Sequence, residues 1–175
     1  MTLKAAVEQR FGLTLHNGYG LTESSPTISQ TRIDAPCSDT SIGLPIPGLD
    51  IRLMNSDRSA CVAQGEVGEL WVRDPNVMKG YYRAPDKTEE VLTTDGWLNT
   101  GDLARQDSDG ALFIAGRSKE LIIRSGFNVY PPEVEAVIAA FPGVVIAAVV
   151  GRPVEGNEEV VPRHSQGMPR RGSEY

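Results

Sequence analysis

The chain is 175 residues long, enough to bury a core and to form either one domain or two small ones. Hydrophobic residues make up 40% and charged residues 23%, an ordinary balance for a globular protein, and a net charge of -6 argues against a nucleic-acid-binding or anionic-membrane surface. Eighteen glycines and twelve prolines predict many tight turns in a β-rich chain.

The opening MTLKAAVEQRFGLTL lacks the apolar core of a signal peptide. The longest apolar run, Val144 to Val150, falls well short of the roughly 20 residues that a membrane span needs. The expectation is a cytoplasmic protein without a transmembrane segment. Cys37 and Cys61 have no metal-like spacing and no nearby histidine partners, so they read as reduced thiols.

In chain order, Leu3 to Arg10 predicts an amphipathic helix with Leu3, Val7 and Phe11 on one face and Gly12 as its stop. Leu13 to Leu15 reads as a short strand, His16 to Gly20 as a loop whose two glycines allow unusual backbone angles, and Pro26 to Asp39 as irregular. Alternation of Leu49, Ile51 and Leu53 with polar neighbours predicts a half-buried strand. A turn over Asn55 to Ser59 leads to a second strand at Val67 to Val72. The stretch Pro85 to Leu92 suits a short helix. Leu103 to Gln106 and Ala111 to Ala115 flank Asp107-Ser108-Asp109-Gly110, a strong hairpin signal. Trp71, Trp97, Phe113 and Phe127 are expected in the core.

Beyond Arg117 the pattern changes to strand, bend at Ser125-Gly126, strand, helix and strand, the start of an α+β unit too small to close a core alone. Pro131 and Pro132 fit only the first helical turn. Val134, Val137, Ile138 and Phe141 form the predicted apolar stripe, and Val144 to Val150 a buried strand. After Val161, PRHSQGMPRRGSEY loses all periodicity and reads as a disordered tail or an aberrant, frameshifted terminus.

Several residues could carry chemistry. In Tyr19-Gly20-Leu21-Thr22-Glu23 the tyrosine offers a flat face, Thr22 a hydroxyl and Glu23 a hard oxygen ligand suited to Mg²⁺; a turn with a capping threonine is the plainer alternative. Asp102, after Thr100-Gly101, is a short loop carboxylate able to accept two hydrogen bonds from a ribose diol, or simply an Asx-turn. Arg117 could bind phosphate or form a surface pair, and Lys119, between two structural regimes, is either a hinge or a solvated lysine. His16 and His164 lack the neighbours that nucleophilic catalysis needs.

Together, YGLTE, GELWVRDPNVMKGYY, DGWLNTGD and GRSKELIIRSGFNVYPPEVE resemble the later core motifs of the adenylate-forming acyl-CoA synthetase family, and SGFNVYPPEVE is most similar to fatty-acid–CoA ligases. The resemblance implies an α+β architecture: residues 1–117 as the β-rich C-terminal part of a large AMP-binding domain, 118–161 as a truncated small domain, and 162–175 as the tail. It implies a carboxylic acid, ATP and CoA as small-molecule partners, Mg²⁺ as cofactor and acyl-AMP as intermediate. By motif, Tyr19 would lie against adenine, Asn17, Gly18 and Gly20 would line the nucleotide pocket, and Thr22 would contact phosphate. Glu23 would hold Mg²⁺, making Thr22 and Glu23 the catalytic pair. Asp102 would bind the ribose hydroxyls with support from Arg117, Lys119 would be the hinge, and Gly126 would face CoA. The family's Ser/Thr/Gly-rich phosphate loop does not precede Tyr19, and its final catalytic-lysine motif does not follow Val161. The expectations are therefore an inactive fragment, a non-catalytic AMP-binding module, a subunit paired with a separate N-terminal chain, or a product of gene decay.

Overall fold

The computed structural model describes residues 3–37, 39–154 and 157–166, and they divide into two units between Ile114 and Ala115. That division falls a few residues before the expected 117/118 boundary. The architecture is α+β, dominated by strands with few helices.

The first unit opens with α1 (Leu3–Phe11), which stops where Gly12 turns to φ +66° and its N–H donates to the Glu8 carbonyl at 2.9 Å. Leu13 to Leu15 is not a strand. Its leucines are exposed, and the Leu15 N–H donates to the Glu8 carboxylate instead of a ladder. The chain then forms β1 (Gly18–Gly20), β2 (Thr27–Gln30) and β3 (Leu44–Pro45), one antiparallel sheet in that order. Two expectations are corrected here: Gly18 to Gly20 is strand rather than loop, and part of the irregular 26–39 stretch is β2. Hydroxyls hid these strands. Ser29 is fully buried, and its Oγ–H donates to the Ile42 carbonyl at 3.0 Å, so a polar residue occupies a core position without loss.

A second sheet has the order β4 (Asp50–Met54), β5 (Gly68–Arg73), β6 (Leu98–Gln106), β7 (Leu112–Arg117). The β6–β7 turn is the predicted one, with Gly110 at φ +86° donating to the Asp107 carbonyl and the Asp107 carboxylate accepting from Asp109 and Ala111. Between β5 and β6, α2 (Pro85–Glu89) covers the expected short helix. Ile28, Leu49, Leu70, Val72, Leu98 and Ala104 make one core, joining the two sheets. Trp97 is buried, and the guanidinium groups of Arg52 and Arg73 lie over its ring, 4.0 and 4.7 Å from the ring centre.

In the second unit, β8 (Ile122–Arg124) and β9 (Phe127–Val129) form a hairpin, followed by α3 (Pro131–Ala139), β10 (Val144–Val154) and β11 (Asn157–Gln166). α3 packs on β10, and β11 pairs antiparallel with it. The only apolar side chains buried among its described residues, apart from Pro131, are Ile122 and Val149. The predicted stripe and buried strand are corrected: Val137, Phe141 and Phe127 are exposed, as are Val145, Ile146 and Val150. One helix and two hairpins do not have enough faces to cover them. Residues 162–166, expected in the tail, belong to β11, with Pro162 opposite Val149; a strand with one open edge accommodates a residue lacking an N–H. Residues 167–175 lie outside the described residues.

Candidate functional site

The YGLTE segment spans the end of β1 and a single 3-10 turn, Thr22–Ser24. Tyr19 lies opposite Ser29 in the sheet, half-buried, and lines a shallow cleft of about 220 Å³ with Gly18, Gly20, Pro26, Thr27 and Gln30. Gly18 and Gly20 do not use left-handed backbone angles, contrary to the sequence expectation. Gly20 is needed for a different reason: a Cβ there would stand 1.6 Å from the Pro26 carbonyl oxygen. Asn17 donates from its amide to the Ser41 carbonyl at 2.8 Å, and its own carbonyl accepts from Thr31. It anchors the start of the strand.

Thr22 is exposed on the turn. Ser24, which sequence reasoning passed over, pins that turn from below. Fully buried, its Oγ accepts from the Leu21 N–H and donates toward the Leu21 and Pro26 carbonyls. Glu23 projects a half-buried carboxylate that accepts the Tyr81 hydroxyl at 2.8 Å, while its carbonyl accepts from the Met78 N–H at 2.8 Å. The hydrogen bond to Glu23, then burial and the Glu23 charge, push the Tyr81 hydroxyl above its usual range, so it stays a protonated donor. Tyr81 was not identified from sequence; only its place in MKGYY marked it.

Asp102 is not on a loop. β6 runs through it, but Asn99 pairs with Trp71 and Leu103 with Glu69, so Thr100, Gly101 and Asp102 bulge out opposite Leu70. Gly101 takes φ +76°, the angle the bulge requires. The Thr100 hydroxyl donates to the Leu70 carbonyl at 2.8 Å and accepts the Asp102 N–H at 3.2 Å. Asp102 is 7% exposed, and its Oδ2 accepts the Tyr19 hydroxyl at 2.5 Å. The structure thus brings Tyr19 and Asp102, 83 positions apart, into one contact.

In the second unit, Arg117 is exposed at the end of β7, and Lys119 is exposed on a 3-10 turn, Ser118–Glu120. Gly126 is the second residue of the β8–β9 turn at φ +82°, after Ser125 at φ 51°. Among the described residues no cluster of three or more His, Cys, Asp or Glu side chains could hold a metal, so Glu23 would need ligand oxygens to complete a cation site. No helix among the described residues is long and apolar enough to cross a membrane. Both cysteines are free.

Residues 1–82 match the family described as AMP-binding enzyme. A long-chain-fatty-acid–CoA ligase of Yersinia pestis is 47% identical over 165 residues, covering 92% of this chain and 29% of that protein. A sulfoacetate–CoA ligase of Cupriavidus necator is 42% identical over 149 residues, covering 85% of this chain and 29% of that protein. The crystal structure of ATP-bound MatB from Rhodopseudomonas palustris superposes with a TM-score of 0.86 at 34% identity, covering 94% of this chain and 33% of that one. The chain spans less than a third of the length of these curated relatives. Over the stretch it covers, its fold matches the C-terminal part of adenylate-forming enzymes, and the chain belongs to the AMP-binding, adenylate-forming family of acid–CoA ligases.

Proposed function

We propose that this chain supplies the base, ribose and metal side of the nucleotide site of a cytoplasmic AMP-forming acid–CoA ligase. In the reaction, an acid carboxylate attacks the α-phosphorus of ATP, pyrophosphate leaves with the bonding pair, and acyl-AMP results. The CoA thiolate then attacks the acyl carbon and AMP leaves. The observation that carries the reading is the 2.5 Å hydrogen bond from Tyr19 to Asp102, which sets an aromatic face and a buried acceptor side by side, as an adenine joined to a ribose requires.

In this reading Tyr19 stacks on adenine, with Asn17, Gly18 and Gly20 shaping the backbone around it. Asp102 accepts the ribose hydroxyls, and Thr22 donates to phosphate. Mg²⁺, held by Glu23 and by phosphate oxygens, would neutralise charge on the transferring phosphoryl group. A single hard carboxylate, oriented by a tyrosine hydroxyl, suits an ion that keeps most of its ligands as phosphate and water. By resemblance, Arg117 supports the ribose, Lys119 is the hinge, and Gly126 faces the site when the thioester forms. The acid partner is a small-molecule carboxylic acid, as for the relatives named for long-chain fatty acids and for sulfoacetate.

The 175 residues themselves hold neither a Ser/Thr/Gly-rich phosphate loop nor the family's terminal lysine motif, so we read them as non-catalytic alone. A second reading, an AMP-binding module without turnover, is favoured by the buried core against which Tyr19 packs. Exposure of Phe11, Leu13 and Ile33 in the first unit supports the reading that further polypeptide covers these side chains. Titration calorimetry with AMP tests the shared core of these readings. Wild-type protein should bind, and Asp102→Ala should weaken binding at least about tenfold, the worth of hydrogen bonds to a charged acceptor. Equal binding by both proteins rejects the assignment of Asp102.

A further inference from the structure

Directly across the sheet from the Asp102 bulge lies a buried carboxylate that the nucleotide reading leaves without a role. Glu69 is 8% exposed and pairs with Leu103, at the foot of the bulge. Its Oε2 accepts from Arg58 Nε at 2.9 Å, Asn99 Nδ2 at 3.2 Å and Trp71 Nε1 at 3.4 Å. Arg58 also lies over the Trp71 ring, 5.7 Å from its centre. A charge placed so deep is costly unless fully satisfied, and here three donors converge on one oxygen.

Asn99 connects this cluster to the site. Its Nδ2 is committed to Glu69, which leaves Oδ1 aimed the other way, and Oδ1 accepts the Gly101 N–H at 2.9 Å. Gly101 is the left-handed residue that precedes Asp102. The charge on Glu69 therefore decides which way the Asn99 amide faces, and the amide decides whether the bulge is held. A glutamine at 69 would not substitute. It would present one neutral oxygen to three donors and turn an NH₂ toward the Arg58 guanidinium, whose Nη2 lies 3.5 Å from Oε1.

We propose that Glu69 is a positioning residue for Asp102, acting through Asn99 and the Gly101 N–H to hold the ribose-accepting carboxylate on its bulge. The ribose part of this proposal rests on the function proposed above; the effect on the bulge does not. The test uses the full chain, labelled with ¹⁵N. In Glu69→Gln the Gly101 amide should exchange about tenfold faster or more, as expected for a lost hydrogen bond to an oriented acceptor, while Val72 and Ala104 amides in the same sheet keep their rates. Asn99→Ser, which leaves the Arg58–Glu69–Trp71 contacts in place, should reproduce the Gly101 effect and serves if Glu69→Gln does not fold. Unchanged Gly101 exchange in a folded variant overturns the proposal, whatever the nucleotide data show.

The second readout is the ratio of affinities for AMP and 2′,3′-dideoxy-AMP. Wild type should favour AMP by about tenfold or more, and each variant should bring that ratio to within about threefold of unity. A purely structural role for Glu69 would weaken both nucleotides alike and leave the ratio standing, which also counts against the proposal. A wild-type ratio near unity instead rejects the ribose reading of Asp102, and the Gly101 amide alone then decides the positioning role.

Discussion

The two units of this chain are built from similar secondary structure and differ sharply in what they bury. In residues 1–114 two sheets share a core in which Ile28, Leu70, Val72 and Ala104 are wholly inaccessible and Leu98 nearly so. From Ala115 onward, β10 and β11 form a long hairpin with α3 on it, yet Val137, Phe141, Val145 and Ile146 all stand more than 60% exposed. Of the residues proposed for the nucleotide, Tyr19, Glu23 and Asp102 lie on the well-packed unit, whereas Arg117, proposed to support the ribose, lies on the other. Those assigned to the hinge and the CoA-facing turn lie on the other. A site that must hold a carboxylate and a phenol within a few tenths of an ångström needs rigid support; a segment that must reorient does not.

The largest effect should come from breaking the core that the second unit lacks. Leu98→Ala should cost about 2–5 kcal/mol, whereas Val137→Ala should stay within about 0.5 kcal/mol. Trp71 and Trp97 belong to the first unit, so denaturant unfolding followed by tryptophan fluorescence reads Leu98→Ala, and denaturant-dependent amide exchange along α3 and β10 reads Val137→Ala. Equal shifts in the two variants would mean that the contrast in burial carries no energetic weight.

A middle-sized effect should appear at the contact between Tyr19 and Asp102, the residues proposed for base and ribose. Tyr19→Phe keeps the ring but leaves Asp102 without the phenol donor, and AMP affinity should fall about threefold to thirtyfold, the range for a hydrogen bond to a charged group partly replaced by water. Tyr19→Ala should lose more, because the aromatic face goes too. Calorimetry on the two variants separates these contributions. A phenylalanine variant that binds like wild type would reduce the hydroxyl contact to a packing detail.

Much of this organisation is legible in the chain. Hairpin chemistry at Asp107 to Gly110, the alternation of Ile51 and Leu53, and the prolines opening α3 each act over a few residues, so local reasoning finds them. The strands at Gly18–Gly20 and Thr27–Gln30 escaped because β1 has glycines on either side of its half-buried Tyr19, and β2 places a serine beside Ile28 in the core, satisfied by Ile42. The same is true of the site. Tyr19, Glu23 and Asp102 carry a recognisable motif, but nothing near Asp102 signals that it sits on a bulge, since the register is set by Glu69 and Trp71 on another strand. Tyr81 and Asn99 have roles defined by contacts across the fold, to Glu23 and Glu69, while Ser24 acts within its own turn on Leu21 and Pro26. The exposed stripe of α3 failed for a complementary reason: periodicity tells which face is apolar, not whether anything covers it.

The smallest effect gives the cleanest version of the comparison, because it applies one perturbation to both units. Gly101 and Gly126 both adopt left-handed angles, at φ +76° and +82°, and a methyl group at either would meet no atom within 4 Å. Alanine at each position should therefore impose only backbone strain, about 1 kcal/mol. At Gly126 that strain falls on a turn between two short strands, and faster amide exchange confined to Ile122–Val129 should be the whole result, with AMP affinity unchanged. At Gly101 the bulge is held by Asn99 and Thr100 and cannot relax without moving Asp102, so the same strain should reach the ligand as weaker AMP binding. If Gly101→Ala binds AMP as wild type does, the bulge is not what aims the carboxylate, and the rigidity of the first unit has no bearing on its chemistry.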